Sequence, residues 1–305
     1  MATRAKTLRG FYIKTSSTSI GYQEEGLLSL LKKKVEGSLI ADRKIEENKE
    51  DADSASIIMN SFEFGKNHCF GSIIKVKDGN ETELLPKTFL EKNSVSLEEL
   101  SSLDSDSFAI VYQYYFMLNN QLLVTDFYNN SETYPFEVYL NQLLKNDRDC
   151  LYELVPYIDQ NPNIKPDQIK NFALADSYLN QQVGDETLGV TKNLSLKGEI
   201  IQMFFGEIDN IGGYKISDIV NPRLVFDVLK PKKISDEDFS NCVGRILKSV
   251  TNPDDLITEL KGGAGKVKGG KLLKTQKVTV GITNNGYVDE SSYSLMMEKF
   301  LESMK

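Results

Sequence analysis

The residues best suited by type and spacing to do chemistry lie in one stretch, Lys261-Gly262-Gly263-Ala264-Gly265-Lys266-Val267-Lys268-Gly269-Gly270-Lys271-Leu272-Leu273-Lys274. Glycines set among lysines suggest a cradle for phosphate. A P-loop needs Gly, four residues, Gly-Lys and then Ser or Thr, because the hydroxyl holds magnesium. Here Val267 follows Gly265-Lys266, and Leu260 stands where the first glycine belongs. The dinucleotide fingerprint fails too, since Gly263-Ala264-Gly265 lacks the third glycine at its required place. Both failures argue against nucleotide hydrolysis. Two readings stay open. One is a flexible basic loop whose glycines let the backbone approach a phosphate chain; the other is a solvated surface loop that is merely rich in lysine.

Other candidate constellations are weaker. Pro253-Asp254 and Glu259-Leu260-Lys261 match the pieces of a metal-dependent nuclease, whose carboxylates must converge from adjacent strands on one magnesium. Only a short run separates Asp254 from Glu259, and Asn252 followed by Pro253 reads as the cap of a helix beginning near Asp255. Asp104-Ser105-Asp106 lacks a third carboxylate and reads as a loop. His68 and Cys69, as neighbours in a strand, face opposite ways and cannot act together; Cys69 reads as a core residue. His68 is the single histidine, so no site built on several imidazoles exists. The three cysteines, Cys69, Cys150 and Cys242, are too far apart for a disulfide framework or a zinc knuckle. The sequence therefore predicts no enzyme, no metal, no cofactor and no small-molecule substrate.

Charge carries more information. The chain is −8 overall, yet from Lys261 to Val288 there are six lysines (Lys261, Lys266, Lys268, Lys271, Lys274 and Lys277) and no acid. Residues 1 to 23 add Arg4, Lys6, Arg9 and Lys14, again without an acid. A phosphate chain feels the field within a Debye length, roughly 8–10 Å, rather than the mean charge. An acidic body with basic stretches can thus still hold DNA. The six lysines, with Lys230, Lys232 and Lys233 as a second group, are the predicted contacts.

The elements that would position these residues follow from periodicity. At 305 residues, 40% hydrophobic with 15 Phe and 14 Tyr, two domains with ordinary cores are expected. Strands are predicted over Leu8 to Lys14, Ser56 to Phe64, Phe70 to Val76, Leu151 to Ile158, Phe172 to Leu179, Leu224 to Leu229 and Val278 to Ile282. A hairpin is predicted where Phe108 to Leu118 and Leu122 to Phe127 flank Asn119-Asn120. Helices are predicted over Glu24 to Val35, around Phe136 to Leu144, over Leu196 to Phe205, after the cap pair Ser235 and Asp238, and at the C-terminus. The last carries the stripe Tyr293, Met296, Met297, Phe300, Leu301 and Met304, which packs internally or serves a homodimer contact. Asn161 to Pro166 is the predicted boundary, giving an α+β domain over 1–160 and another over 167–305 that carries the basic loop. The predicted class is α+β, with antiparallel or mixed sheets and flanking helices. No leader and no membrane span are evident, so a soluble cytoplasmic protein is expected.

The order of several motifs resembles the Rex exclusion protein A family of lambdoid prophages and, more distantly, the KwaB protein of the Kiwa defence system. They are Gly10-Phe11-Tyr12 in the first strand, the leucine helix Leu27 to Leu31, and Asn129-Asn130-Ser131-Glu132-Thr133 before a helix ending Leu140-Asn141-Gln142-Leu143-Leu144. Later come Glu153-Leu154-Val155-Pro156-Tyr157, Leu196-Lys197-Gly198-Glu199-Ile200-Ile201, and Val225-Phe226-Asp227-Val228-Leu229-Lys230-Pro231-Lys232. The charged insert Asp42 to Asp53 and the lysine-glycine segment depart from the family's pattern. The resemblance implies a homodimer that binds double-stranded DNA with little sequence preference and acts in phage exclusion alongside a membrane partner. The alternatives are a metal-dependent nuclease of a defence system and a sensor or interaction protein that does not touch DNA.

Overall fold

Hydrophobic alternation with period two dominates this sequence, and the resulting architecture is mainly antiparallel sheet. The computed structural model describes residues 2–16, 25–47, 55–78, 84–94, 107–129, 132–148, 150–159, 166–174, 210–211, 214–215, 224–250, 252–263, 265–283 and 287–304. Contacts divide the chain into two compact units. Unit 1 is Met1–Tyr157 with Lys274–Lys305, and unit 2 is Ile158–Leu273.

Unit 1 begins with β1 (Ala2–Ser16), α1 (Leu27–Val35), β2 (Lys44–Glu46), β3 (Ser56–Phe64) and β4 (Cys69–Asp78). It continues with β5 (Leu84–Pro86), β6 (Ser107–Leu118), β7 (Leu122–Thr125), α2 (Thr133–Leu143) and β8 (Leu151–Pro156). Unit 2 holds β9 (Ile169–Leu174), the short pair β10 (Asn210–Ile211) and β11 (Tyr214–Lys215), β12 (Val225–Asp227), α3 (Asp236–Lys248), β13 (Leu256–Leu260) and β14 (Lys266–Lys268). The chain then re-enters unit 1 as β15 (Thr275–Ile282) and α4 (Glu290–Glu302). Every strand pairing among the described residues is antiparallel, and the class is α+β.

In unit 1 one nine-stranded sheet runs β15-β1-β7-β6-β4-β3-β2, with β5 on β6 and β8 on β1. Successive residues face opposite sides, so the sheet carries two cores. Phe116 and Leu123 join Leu27, Leu31, Phe136 and Leu140 from α1 and α2. Met117 and Val124 join Leu8, Val280, Tyr293, Met297 and Phe300, the last three from α4. The methionine-rich stripe of α4 thus packs internally. Tyr139 is fixed in the first core because its hydroxyl accepts from Met59 N–H at 3.0 Å and donates to the Arg43 carbonyl at 2.8 Å. The β6–β7 hairpin forms where Asn119-Asn120 predicts it. Asn119 Oδ1 accepts the N–H groups of Gln121 at 2.8 Å and Leu122 at 2.7 Å, which closes the turn.

Two expectations need correction. Lys274–Lys305 does not belong with the residues before it, because β15 pairs with β1 from Ala2↔Ile282 to Arg9↔Thr275 and α4 fills the unit 1 core. The helix expected behind Asn252 is a single 3-10 turn, Pro253–Asp255, in which Asn252 Oδ1 accepts Asp254 N–H at 3.1 Å. Strand β13 follows, because Leu256, Thr258 and Leu260 alternate inward with the period of a strand. The predicted helix over Leu196 to Phe205 lies outside the described residues, as do Asp104-Ser105-Asp106 and most of the predicted boundary at Asn161 to Pro166.

Unit 2 builds a four-stranded sheet in the order β12-β9-β13-β14. Phe172, Leu256 and Leu260 from its strands meet Phe239, Val243 and Leu247 from α3. Ser235 caps α3 by accepting Asp238 N–H at 3.0 Å, and Arg245 and Lys248 lie at its C-terminal end, where the helix dipole favours cations. No helix among the described residues is long and apolar enough to cross a membrane.

Candidate nucleic-acid interface

The lysine-glycine segment is not one loop. Lys261–Gly263 is a 3-10 turn, Lys266–Lys268 is β14, and Gly269–Leu272 is a second 3-10 turn. The unit boundary after Leu273 then divides the predicted contacts. Lys261, Lys266, Lys268 and Lys271 belong to unit 2, as do Lys230, Lys232 and Lys233, whereas Lys274 and Lys277 belong to unit 1. The glycines divide as well. Gly262, Gly263 and Gly265 adopt φ of 71°, 73° and 101°, and a Cβ at any of them would meet nothing within 4 Å. They form an exposed turn that only glycine enters easily. Gly269 is buried, and a Cβ there would sit 2.5 Å from the Pro253 carbonyl oxygen. Its role is close packing, so the expectation of a uniformly flexible segment is corrected.

Register decides which lysines come together. On β14, Lys266 lies opposite Glu259 and Lys268 opposite Ile257, both exposed, while Val267 packs on the core beneath. Glu259 in turn lies opposite Asn171 on β9. Its carboxylate accepts from Asn171 Nδ2 at 3.0 Å and from Lys170 Nζ at 3.2 Å. These two hydrogen bonds, the one from Asn171 foremost, hold the Glu259 carboxyl below the usual range for a glutamate. Lys261 follows β13 directly, and its ammonium donates to the Asp167 carbonyl at 2.8 Å. That acceptor is neutral, so the charge of Lys261 is not cancelled. One end of the sheet therefore gathers Lys170, Lys261 and Lys266 around the exposed glycine turn. Among the described residues the only carboxylate within 4 Å of any of these ammonium groups is Glu259, beside Lys170.

The remaining lysines stand elsewhere. Lys268 lies 4.0 Å from Asp254, at the far end of the hairpin. Lys230 is paired with Asp236 at the start of α3 and lies 5.8 Å over the Phe239 ring. Lys232, Lys233 and Lys271 are exposed. Lys230, Lys232 and Lys233 follow β12, the edge strand on the opposite side of the sheet from β14, so three strand spacings, roughly 14 Å, separate the two edges. In unit 1, Lys277 is exposed on β15 opposite Thr7, and the Lys274 backbone bonds Gly10 and Tyr157. Two of the basic residues of the first strand are occupied internally. Lys6 bridges the buried Asp126 at 2.7 Å, and Arg9 donates to the Phe127 and Tyr128 carbonyls at 2.9 Å each.

No known family model, characterised protein or solved structure matches the chain.

The nuclease geometry does not assemble. Asp254 lies in the 3-10 turn before β13, and Glu259 lies three residues past that strand's start, so roughly 10 Å of strand separates Glu259 from the turn. Among the described residues no three His, Cys, Asp or Glu side chains converge as metal ligands. Cys69 is fully buried, which pushes its thiol up to about 12, and His68 instead faces Glu298 with Nδ1 at 3.7 Å. Lys170 and Asn171 were not evident from sequence. They lie 89 and 88 residues from Glu259, and only the β9–β13 pairing joins them.

Proposed function

We propose that the chain binds double-stranded DNA without sequence preference, through the tip of the β13–β14 hairpin. What carries this reading is the register that gathers Lys170, Lys261 and Lys266 around a glycine turn standing clear of other atoms. Ammonium groups hold phosphate as point charges, and an exposed glycine backbone can approach a phosphate chain without steric penalty. A two-stranded β-ribbon also fits the major groove, which is about 12 Å wide. Contacts of this kind fix position on the duplex but do not read bases. No chemical step is assigned to the site, and no cofactor is invoked.

The resemblance to the Rex exclusion family extends the proposal to a biological role. In that role the protein acts in the cytoplasm as a homodimer, excludes phage by occupying DNA, and works with a membrane-protein partner. Fluorescence anisotropy with random-sequence duplexes tests the binding. Two unrelated sequences should bind equally, and Lys261→Gln with Lys266→Gln should weaken both by about tenfold. Affinity unchanged in the double variant removes the hairpin tip as the contact.

A further inference from the structure

A second polar site lies in unit 1 and uses none of the lysines assigned above. Three segments of that unit border an open surface pocket of about 590 Å³: the start of α1, the β3–β4 turn and the β6–β7 turn. That volume falls within the roughly 300–1,000 Å³ typical of small-molecule sites. Lys32 and Lys66 line it together with Asn67, Asn120 and Gln121, and no carboxylate is among its described lining residues. Lys32 is half-exposed, 5.9 Å over the Phe64 ring and 4.0 Å from Glu36 outside the pocket.

The amides of α1 leave recognition to these side chains. Leu28 N–H donates to Asn120 Oδ1 at 2.8 Å, and Ser29 and Leu30 N–H donate to the Gly26 carbonyl at 3.0 and 3.2 Å. The same contacts fix Asn120 in place. A Cβ on Gly26 would lie 2.6 Å from Asn120 Nδ2, so the absence of a side chain there lets the amide seat against the helix start. The pocket thus combines two lysines with Asn67 and Gln121, whose carboxamides can each donate and accept, while Asn120 holds the helix start. Lysine suits phosphate, and the paired donor and acceptor of Asn or Gln match the edge of a nucleobase.

We propose that this pocket binds a nucleoside phosphate, with Lys32 and Lys66 on the phosphate and Asn67 and Gln121 on the base. The inference does not depend on the hairpin of unit 2. Calorimetric titration of the full chain tests it with ATP, GTP, CTP, UTP, adenosine and pyrophosphate as probes. At least one nucleoside triphosphate should bind at sub-millimolar concentration, more tightly than either its nucleoside or pyrophosphate. Lys32→Gln with Lys66→Gln should weaken that binding about tenfold to a hundredfold, as expected for lost charged hydrogen bonds. Gln121→Ala should weaken the nucleotide and leave pyrophosphate unchanged. Duplex affinity should stay the same in all these variants, which separates this site from the hairpin. No binding of any triphosphate at 1 mM, pyrophosphate binding as tightly as the nucleotides, or full affinity in the double lysine variant would each overturn the proposal.

Discussion

The hairpin of unit 2 and the pocket of unit 1 acquire positive charge in opposite ways. The hairpin belongs to a segment dense in lysine, yet folding sets Glu259 beside Lys170 and opposite Lys266, and Asp254 near Lys268. The pocket draws on only two lysines, from α1 and from the β3–β4 turn, and its described lining contains no acid. Charge counted along the chain therefore overstates the first region and misses the second. What matters is the set of side chains that strand register and turn closure bring within a few ångströms.

The strongest way to separate the two regions is to remove the support of one. Phe172 is buried beneath the hairpin against α3, so Phe172→Ala should cost about 3–5 kcal/mol through the cavity it leaves. Hydrogen exchange should then show lost protection in β9, β13 and β14, with α1 and the β6–β7 turn unchanged. Tyr139→Phe is the counterpart in unit 1. It leaves Met59 N–H and the Arg43 carbonyl without their buried partner and should cost about 1–3 kcal/mol by denaturant titration, with no change in duplex binding.

Glu259→Gln sharpens the contrast in charge. Without that carboxylate beside Lys170 and Lys266, duplex affinity should rise about three- to tenfold at low salt. The same group sets a pH dependence. Its folded pKa is depressed, so the stability it contributes is present above the ordinary carboxylate value and is lost as pH falls through the folded value. Duplex binding should strengthen over that acidic range in the wild type and not in Glu259→Gln. The smallest effect is expected at the turn itself. Gly262→Ala forces a side chain into positive φ and should cost about 1–2 kcal/mol, read as a small fall in melting temperature.

Much of the architecture was legible because it follows short-range rules. The α+β class, the β6–β7 hairpin and the Ser235 cap all rest on residues within a few positions of one another. Asn252 misled for a physical reason. It does cap a turn, but Leu256, Ile257 and Thr258 alternate inward and outward and take the chain into β13. The return of β15 to β1 was not legible, since it joins Ala2 to Ile282, and no local pattern records a pairing over that distance. At the hairpin, Lys261 and Lys266 were evident from composition, whereas Lys170 and Asn171 required the sheet. The pocket left no signal in sequence, because its three segments carry ordinary turn residues.

The salt dependence of duplex binding tests the hairpin most directly. Log affinity should fall linearly with log salt, and replacing Lys170, Lys261 and Lys266 together by Gln should make the slope shallower by about 2.7, at about 0.9 per phosphate contact. An identical slope in the wild type and the triple variant would contradict the assignment of DNA contact to this end of the sheet.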